Sequence, residues 1–240
     1  EYNMALPKLT STKFNVDLPY TKTNIEFRPF LVKEEKALLV AMESEEQSQM
    51  ISVMRDIVNN CVETPGFDVA NIPFFESEFL FLQLRAKSVG EISKLEYRHT
   101  DGINYKGEQC EVVTEVDVNL EEVEVAGLDN IRTEYPLTDK LNLKLKFPSI
   151  LEITDLEDGA SGEIQLLSKT IEYAFDDNEI YEAETEEEKI QFIESMNAKQ
   201  LQNVSNFFTS MPRVKKEIKY KCAGCGQEDT VTLEGLADFF

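Results

Sequence analysis

Apolar side chains recur at helical spacing through KEEKALLVAMES and again through SEEQSQMISVMRDIVNNCV, where Met50, Val53, Met54, Ile57, Val58 and Cys61 make one stripe. Two helices are predicted, the second opened by a capping box of Ser44 with Gln47 and closed by Thr64, Pro65 and Gly66. A third helix is predicted in IPFFESEFLFLQLRAKSVG. There Phe74, Phe75, Phe79, Leu80, Phe81, Leu82 and Leu84 spread over more than one face, which a helix with a wet side does not need. Either two layers of the same chain cover this helix, or Phe79 and Phe81 belong to a docking face for another subunit.

From Ile92 to Phe147 the period changes to two. ISKLEY, CEVVTEVDVNL, EEVEV and KLNLKLKF alternate apolar residues with Glu, Asp and Lys, which predicts an antiparallel sheet with one wet face. Residues 148–212 return to helix through SGEIQLLSKTIEYAF and EEEKIQFIESMNAKQLQNVSNFFTSM, with Pro212 as a stop. Residues 1–30, with three prolines and weak alternation in TNIEFRPF, predict an extended arm ending in a short strand. Met4 followed by Ala5 reads as a translation start, so Glu1 to Asn3 are set aside. The chain closes on RVKKEIKYK, an incoming strand, then CAGCGQ and TLEGLADFF. Burying a Phe side chain is worth roughly 1.5 to 3 kcal/mol, so the terminal Phe239 and Phe240 are expected to pack in the core or against a partner. The reading is an α+β fold: an arm at 1–30, a helical segment at 31–91, a central antiparallel sheet at 92–147 and a helical insertion at 148–212. At 213–240 a C-terminal strand, a zinc-ribbon-like half knuckle and a short helix pack with 92–126.

Composition narrows the function. The 24 Lys and Arg stand against 46 Asp and Glu, a formal charge of −22 that repels nucleic acid and anionic membranes wherever no local patch reverses the sign. RVKKEIKYK is such a patch, with five bases and one acid. Its lysines either neutralise the acidic sheet that the strand joins or meet an acidic protein or nucleic acid. The run DDNEIYEAETEEE, with eight acids, reads as a solvated turn leading into an acid-rich helix N-terminus. No apolar run approaches the roughly 20 residues that cross a bilayer, and the start of the chain lacks the apolar core of a signal peptide, so an intracellular protein is expected.

A reducing compartment keeps thiols free, so the four cysteines are not read as a disulfide framework. Cys61 closes a helical stripe and reads as a small core side chain. Cys222 and Cys225 have the C-x-x-C spacing of a zinc knuckle, with Gly224 and Gly226 allowing a tight turn and Lys219 and Lys221 favouring thiolates. A structural zinc site needs two more donors. Cys110 and His99, the chain's only histidine, lie together in YRHTDGINYKGEQCEVV, between two strand-like runs. If the strand at 213–221 pairs with the sheet of 92–126, the knuckle is carried to them and the ribbon is split by a long insertion. A zinc site, a relic turn with one thiol pair, and a redox C-x-x-C all stand open at this point. Catalytic signatures are missing: no Walker A, G-x-G-x-x-G, G-x-S-x-G or H-E-x-x-H occurs.

Three segments carry a family resemblance: RPFLVKEEKALL, FLQLRAKSVGE, and EGLADFF following the cysteine knuckle. With them, nearly the whole chain after Met4 resembles the T4-type bacteriophage baseplate hub subunit family of T4-like marine phages. The resemblance implies a non-enzymatic hub component or assembly factor for the central hub of a contractile tail. It implies as partners the other hub proteins: the tail lysozyme, tube or tape-measure proteins. The implied location is the host cytoplasm during assembly, or the tail baseplate of the virion. It also implies cysteine knuckles in the middle and at the end of the chain. Here the middle offers only Cys110 and His99, a departure that bears on zinc. The alternative reading is a zinc-ribbon adaptor that binds nucleic acid or a polymerase through residues 213–221. It accounts only for the C-terminal 28 residues.

Overall fold

The computed structural model describes residues 11–239 apart from 45, 155, 157 and 158. The proposed start at Met4 and the contact role of Phe240 lie outside the described residues. In chain order the elements are β1 (Phe14–Asp17), β2 (Asn24–Phe27), α1 (Val32–Glu43), α2 (Gln47–Cys61), α3 (Phe74–Ser88), β3 (Ile92–Tyr97), β4 (Thr114–Asn119), β5 (Glu124–Ala126), β6 (Glu134–Pro136) and β7 (Asn142–Leu145). There follow α4 (Ile150–Thr154), α5 (Ala160–Thr170), β8 (Ile171–Phe175), β9 (Ile180–Tyr181), α6 (Glu186–Glu194), α7 (Ala198–Ser210), β10 (Arg213–Lys221), β11 (Glu228–Glu234) and a closing 3₁₀ turn at Leu236–Phe239.

Where the pattern predicts an extended arm, the chain forms a hairpin. β1 and β2 pair antiparallel with Phe14 opposite Phe27 and Val16 opposite Ile25. Leu18, Ile25 and Phe27 are buried, because alternation on β2 aims both apolar residues at the core. The hairpin is fastened to the end of α2, where the Arg28 amide donates to Cys61 O and the Glu63 amide to Glu26 O. The Arg28 guanidinium bridges to Glu34 and donates to Asn60 O, so RPFLVKEE is an ionic lock between the hairpin, α1 and α2. The α2 stripe is core, and burial pushes the Cys61 thiol up to about 11. Ser44 does not cap α2: Glu46 holds the N-cap position, and the Ser44 hydroxyl donates to Ala41 O at the end of α1.

Helix α3 is enclosed by the chain itself. It touches β1, α2, β5, β10 and the 120–122 turn, and Phe75, Leu80, Phe81, Leu82 and Leu84 are all buried. Two of its glutamates are buried too, each against backbone amides. Glu76 Oε1 accepts from Tyr20 N and Thr21 N at 2.6 and 2.9 Å, and Glu78 Oε1 accepts from Leu236 N at 2.8 Å. The same helix therefore pins the turn of the N-terminal hairpin and the turn that closes the chain.

The strands of 92–147 do not make one sheet. β3 pairs with β4, β5 joins β10 and β11 in the order β11-β10-β5, and β6 and β7 join β8 and β9 in the order β6-β7-β8-β9. β8 is the IEYAF that the sequence reading placed inside a helix; α5 ends at Thr170, and the β-branched and aromatic run that follows pairs with β7. Arg213 lies opposite Ala126, so the chain leaves the first core at residue 127 and returns beside that point at 213. A Cβ on Gly127, whose φ is +90°, would stand 3.4 Å from Pro212 Cα, which shows how closely the two ends approach. The intervening segment builds a second core around Tyr135, Leu143, Leu145, Leu167, Ile171 and Phe207, while Ile150 of α4 is buried in the first. Phe147 joins the two cores: its ring centroid is 5.3 Å from Phe75 and 5.5 Å from Phe207, on which it stacks.

The burial of Glu78 has a measurable consequence. Loss of water lifts its carboxyl from 4.5 to about 7, against the opposing pull of the Leu236 amide. A carboxyl raised in the folded state holds its proton there more tightly than in the unfolded chain. Its stabilising effect is thus full below the ordinary value and is lost as pH rises through about 7. Thermal melts of the wild type should therefore lose about 1 to 3 kcal/mol relative to Glu78→Gln between about pH 5 and about pH 8. Parallel pH profiles for the two proteins would mean that Glu78 is not strained by its site.

Candidate metal centre

Two hairpin connections meet at one place. Residues 98–113 join β3 to β4, and residues 222–227 join β10 to β11. β10 pairs with β5, and the amide of Ala223 donates to Thr114 Oγ1 at 3.0 Å, which sets the second turn against the start of β4. His99, Cys110, Cys222 and Cys225 thereby come together, with their four donor atoms all within 4.8 Å of one another. His99, Cys110 and Cys222 are buried and Cys225 is exposed.

Each turn has a local cause. In the first, Asp101 and Gly102 are left-handed at φ 56° and 68°, and Cys110 N donates to Gly102 O, which folds Cys110 back toward His99. In the second, Cys222 N donates to Gln227 O and Gly226 N to Cys222 O, with Gly226 at φ +71°. Gly224 is needed for a different reason from the tight turn expected of it. A Cβ there would lie 2.6 Å from Val112 Cγ2 and 3.1 Å from Cys110 Sγ, so the knuckle can sit on the first turn only without a side chain.

The thiol chemistry follows from backbone amides. The amides of Cys225 and Gly224 point at the Cys222 sulfur and bring its pKa down to about 6. The Gln227 amide, with His99, lowers Cys225 as well. Lys219 and Lys221, expected to favour the thiolates, are not the groups that do so. His99 Nε2 stands 3.3 Å from Cys225 Sγ, a contact that raises the imidazole pKa. Cys110 accepts from the Val112 amide, but burial and the two neighbouring sulfurs outweigh that bond and leave its thiol above the ordinary value.

Two of the donor–donor distances are close to those around a tetrahedral ion. Zn–S bonds of about 2.3 Å at the tetrahedral angle place two sulfurs about 3.8 Å apart, and a Zn–N bond of about 2.0 Å places nitrogen and sulfur about 3.5 Å apart. Cys110 and Cys222 are separated by 3.7 Å, and His99 and Cys225 by 3.3 Å. The cluster can hold a metal with three sulfurs and one imidazole. Four protein donors leave no open position, which is the pattern of a structural centre rather than a catalytic one. The knuckle sits in a hairpin turn, whereas a redox C-x-x-C works at a helix N-terminus.

The other residues singled out in the sequence fall elsewhere. Phe81 and Phe239 are fully buried, so in the folded chain they support the core and cannot reach a partner; Phe79 is half-buried. In β10, Arg213 and Lys215 bridge to Glu234 and Lys216 to Glu122, while Lys221 lies opposite Glu228. Much of the basic strip is thus matched by acids of this chain. What the sequence reading missed is the outer face of α1, where Val32, Leu39 and Val40 are 79%, 54% and 52% exposed. The consecutive Leu38, Leu39 and Val40 carried the signal, since one buried stripe cannot take all three.

Residues 10–240 match the family described as T4 bacteriophage base plate protein. The chain belongs to that family. Neither the comparison with curated proteins nor that with solved structures returned a match. As a baseplate protein it is a structural component of the phage tail, and other baseplate proteins are its partners. Among the described residues no helix is long and apolar enough to cross a membrane.

In this baseplate protein Gly224→Ala should separate the two turns. We expect about 1 to 3 kcal/mol of destabilisation, the usual cost of overpacking, and faster alkylation of Cys110 in the native protein. Unchanged melting and unchanged Cys110 reactivity would show that the close approach is not needed.

Proposed function

We propose that this baseplate protein is a non-enzymatic component of, or assembly factor for, the central hub of a contractile tail. It acts through contacts with other hub proteins, among them the tail lysozyme, tube or tape-measure proteins. It works in the host cytoplasm during assembly and in the tail baseplate of the virion. The observation that carries this reading is the family match, which runs through both cores and the knuckle without interruption. α1 supplies a contact face: Glu34, Leu38 and Ala41 face inward, and of the outward Val32, Leu39 and Val40 the first two lie within the RPFLVKEEKALL segment of resemblance. The proposed ion of the Cys110, Cys222, Cys225 and His99 centre is Zn²⁺, which matches its donor set.

Mass spectrometry of purified virions beside tail-assembly intermediates tests the reading. A hub component is found in both and an assembly factor only in the intermediates; absence from both sinks the proposal. The pair Val32→Asp and Leu39→Asp should change stability by no more than about 0.5 kcal/mol each, as exposed positions do, yet lower incorporation into intermediates about tenfold or more. Normal incorporation of both variants would move the contact away from α1.

A further inference from the structure

The connection between β3 and β4 is long and is organised mostly by its own atoms. Asn104, buried within it, accepts from the amides of Lys106 and Glu108, and its own amide donates to Glu108 O. Ile103 pairs with Gln109, and Cys110 N donates to Gly102 O. Among the described residues, the hydrogen bonds of 99–113 stay inside the segment except at three side chains. His99 meets Cys225, Cys110 meets Cys222, and Tyr105 reaches Asp229. Two of those three ties are the pairs of metal donors. Apolar packing adds little to hold the segment, because Ile103, Tyr105, Val112 and Val113 are all exposed. The opposite turn is similarly placed: it is a short connection held through Ala223 and otherwise by its own hairpin bonds.

β10, in contrast, is anchored without any help from the centre. Val214 is fully buried, Ile218 is buried against the first core, and the strand is hydrogen-bonded to β11 along its length and to β5 at its start. The donors therefore stand at the free ends of two hairpins whose bases are fixed elsewhere. A free thiol pair at 3.7 Å and an imidazole–thiol contact at 3.3 Å are weak bonds, while a four-coordinate ion replaces both with metal–ligand bonds.

We propose that one Zn²⁺, bound by His99, Cys110, Cys222 and Cys225, is the tether that seats residues 99–113 on the 222–227 turn, and that its loss frees these two connections while both cores stay folded. The inference rests on the assignment of Zn²⁺ to the centre and adds what the ion does there. It accounts for the chemistry of the site, since a closed set of four protein donors offers a substrate no position. It also accounts for Gly224, which lets the knuckle lie against Val112 at the distance at which Cys110 reaches Cys222.

The test uses the full-length protein, purified without chelator. Elemental analysis should give about one zinc per chain, and replacement by Co²⁺ should give the sulfur-to-cobalt charge-transfer and d–d bands of a tetrahedral thiolate site. Cys225→Ser, at an exposed position that core packing does not need, should lower metal content at least several-fold. Hydrogen exchange with and without the ion then reads the tether. On stripping, amides of 99–113 and 222–227 should exchange at least tenfold faster, while those of α3 and α7 keep their rates. Protein without zinc that also takes up no Co²⁺ overturns the zinc assignment itself. One zinc per chain with unchanged exchange on removal leaves the assignment standing and overturns the tether. Loss of protection throughout α3 on stripping also overturns it, since the ion would then hold up the whole first core.

Discussion

A carboxyl group taken out of water costs free energy unless hydrogen bonds replace its hydration, and α3 carries two of them into the core. Glu76 can be buried only if the β1–β2 turn supplies the amides of Tyr20 and Thr21, and Glu78 only if the closing turn supplies that of Leu236. Helix, N-terminal hairpin and C-terminal turn are thus favoured to form together, for an incomplete set leaves a buried carboxyl oxygen without its partner amides. The Ser93 hydroxyl donating to Phe239 O tightens the same union at the start of β3. Sequence ends that are over two hundred residues apart are brought into one cooperative unit by one helix.

That constraint also explains which parts of the fold were legible in the sequence. The α2 stripe and the alternation of β3, β4 and β10 could be read directly, because each buries one face and shows one face to water. α3 could be recognised as a helix with too many apolar faces, but nothing in its spacing says what covers it. The covering elements come from β1, β5 and β10, remote in sequence. IEYAF was misread for a related reason: it follows α5 without a break, and only pairing with β7 makes it a strand. Strand alternation likewise does not carry partner identity, so one expected sheet resolved into three.

The metal centre shows the same division between chemistry and geometry. Cys222 and Cys225 announce themselves by spacing, and Cys110 and His99 stand out as a thiol and an imidazole in a turn-rich stretch. No knuckle spacing joins the second pair. They become neighbours because Asp101 and Gly102 fold the connection back on itself and because β5 sets the position of β10. The role of Gly224 was legible only in part. Its small size was evident, but the demand comes from Val112, a residue more than one hundred positions away.

The closeness of the inserted unit's ends decides how it bears on the centre. Residues 126 and 213 are paired across β5 and β10, so the first core keeps its strand order whether the chain between them is long or short. The inserted unit meets the first core through the Phe147 ring, stacked on Phe207 on one side and edge-on to Phe75 on the other, and through the stretch after it, where Phe74 N donates to Pro148 O, Ser149 pairs with Pro73 and Ile150 is buried in the first core. All four metal donors belong to segments outside the insertion, on hairpins whose bases are buried in the first core. The geometry at the sulfurs is therefore set by β3, β4, β10 and β11, while the acidic connection around β9 and α6 lies in the inserted unit. A contact on the second core would reach the centre through Phe147, the Pro148–Ile150 stretch and the β5–β10 junction, all of which are packed rather than hinged.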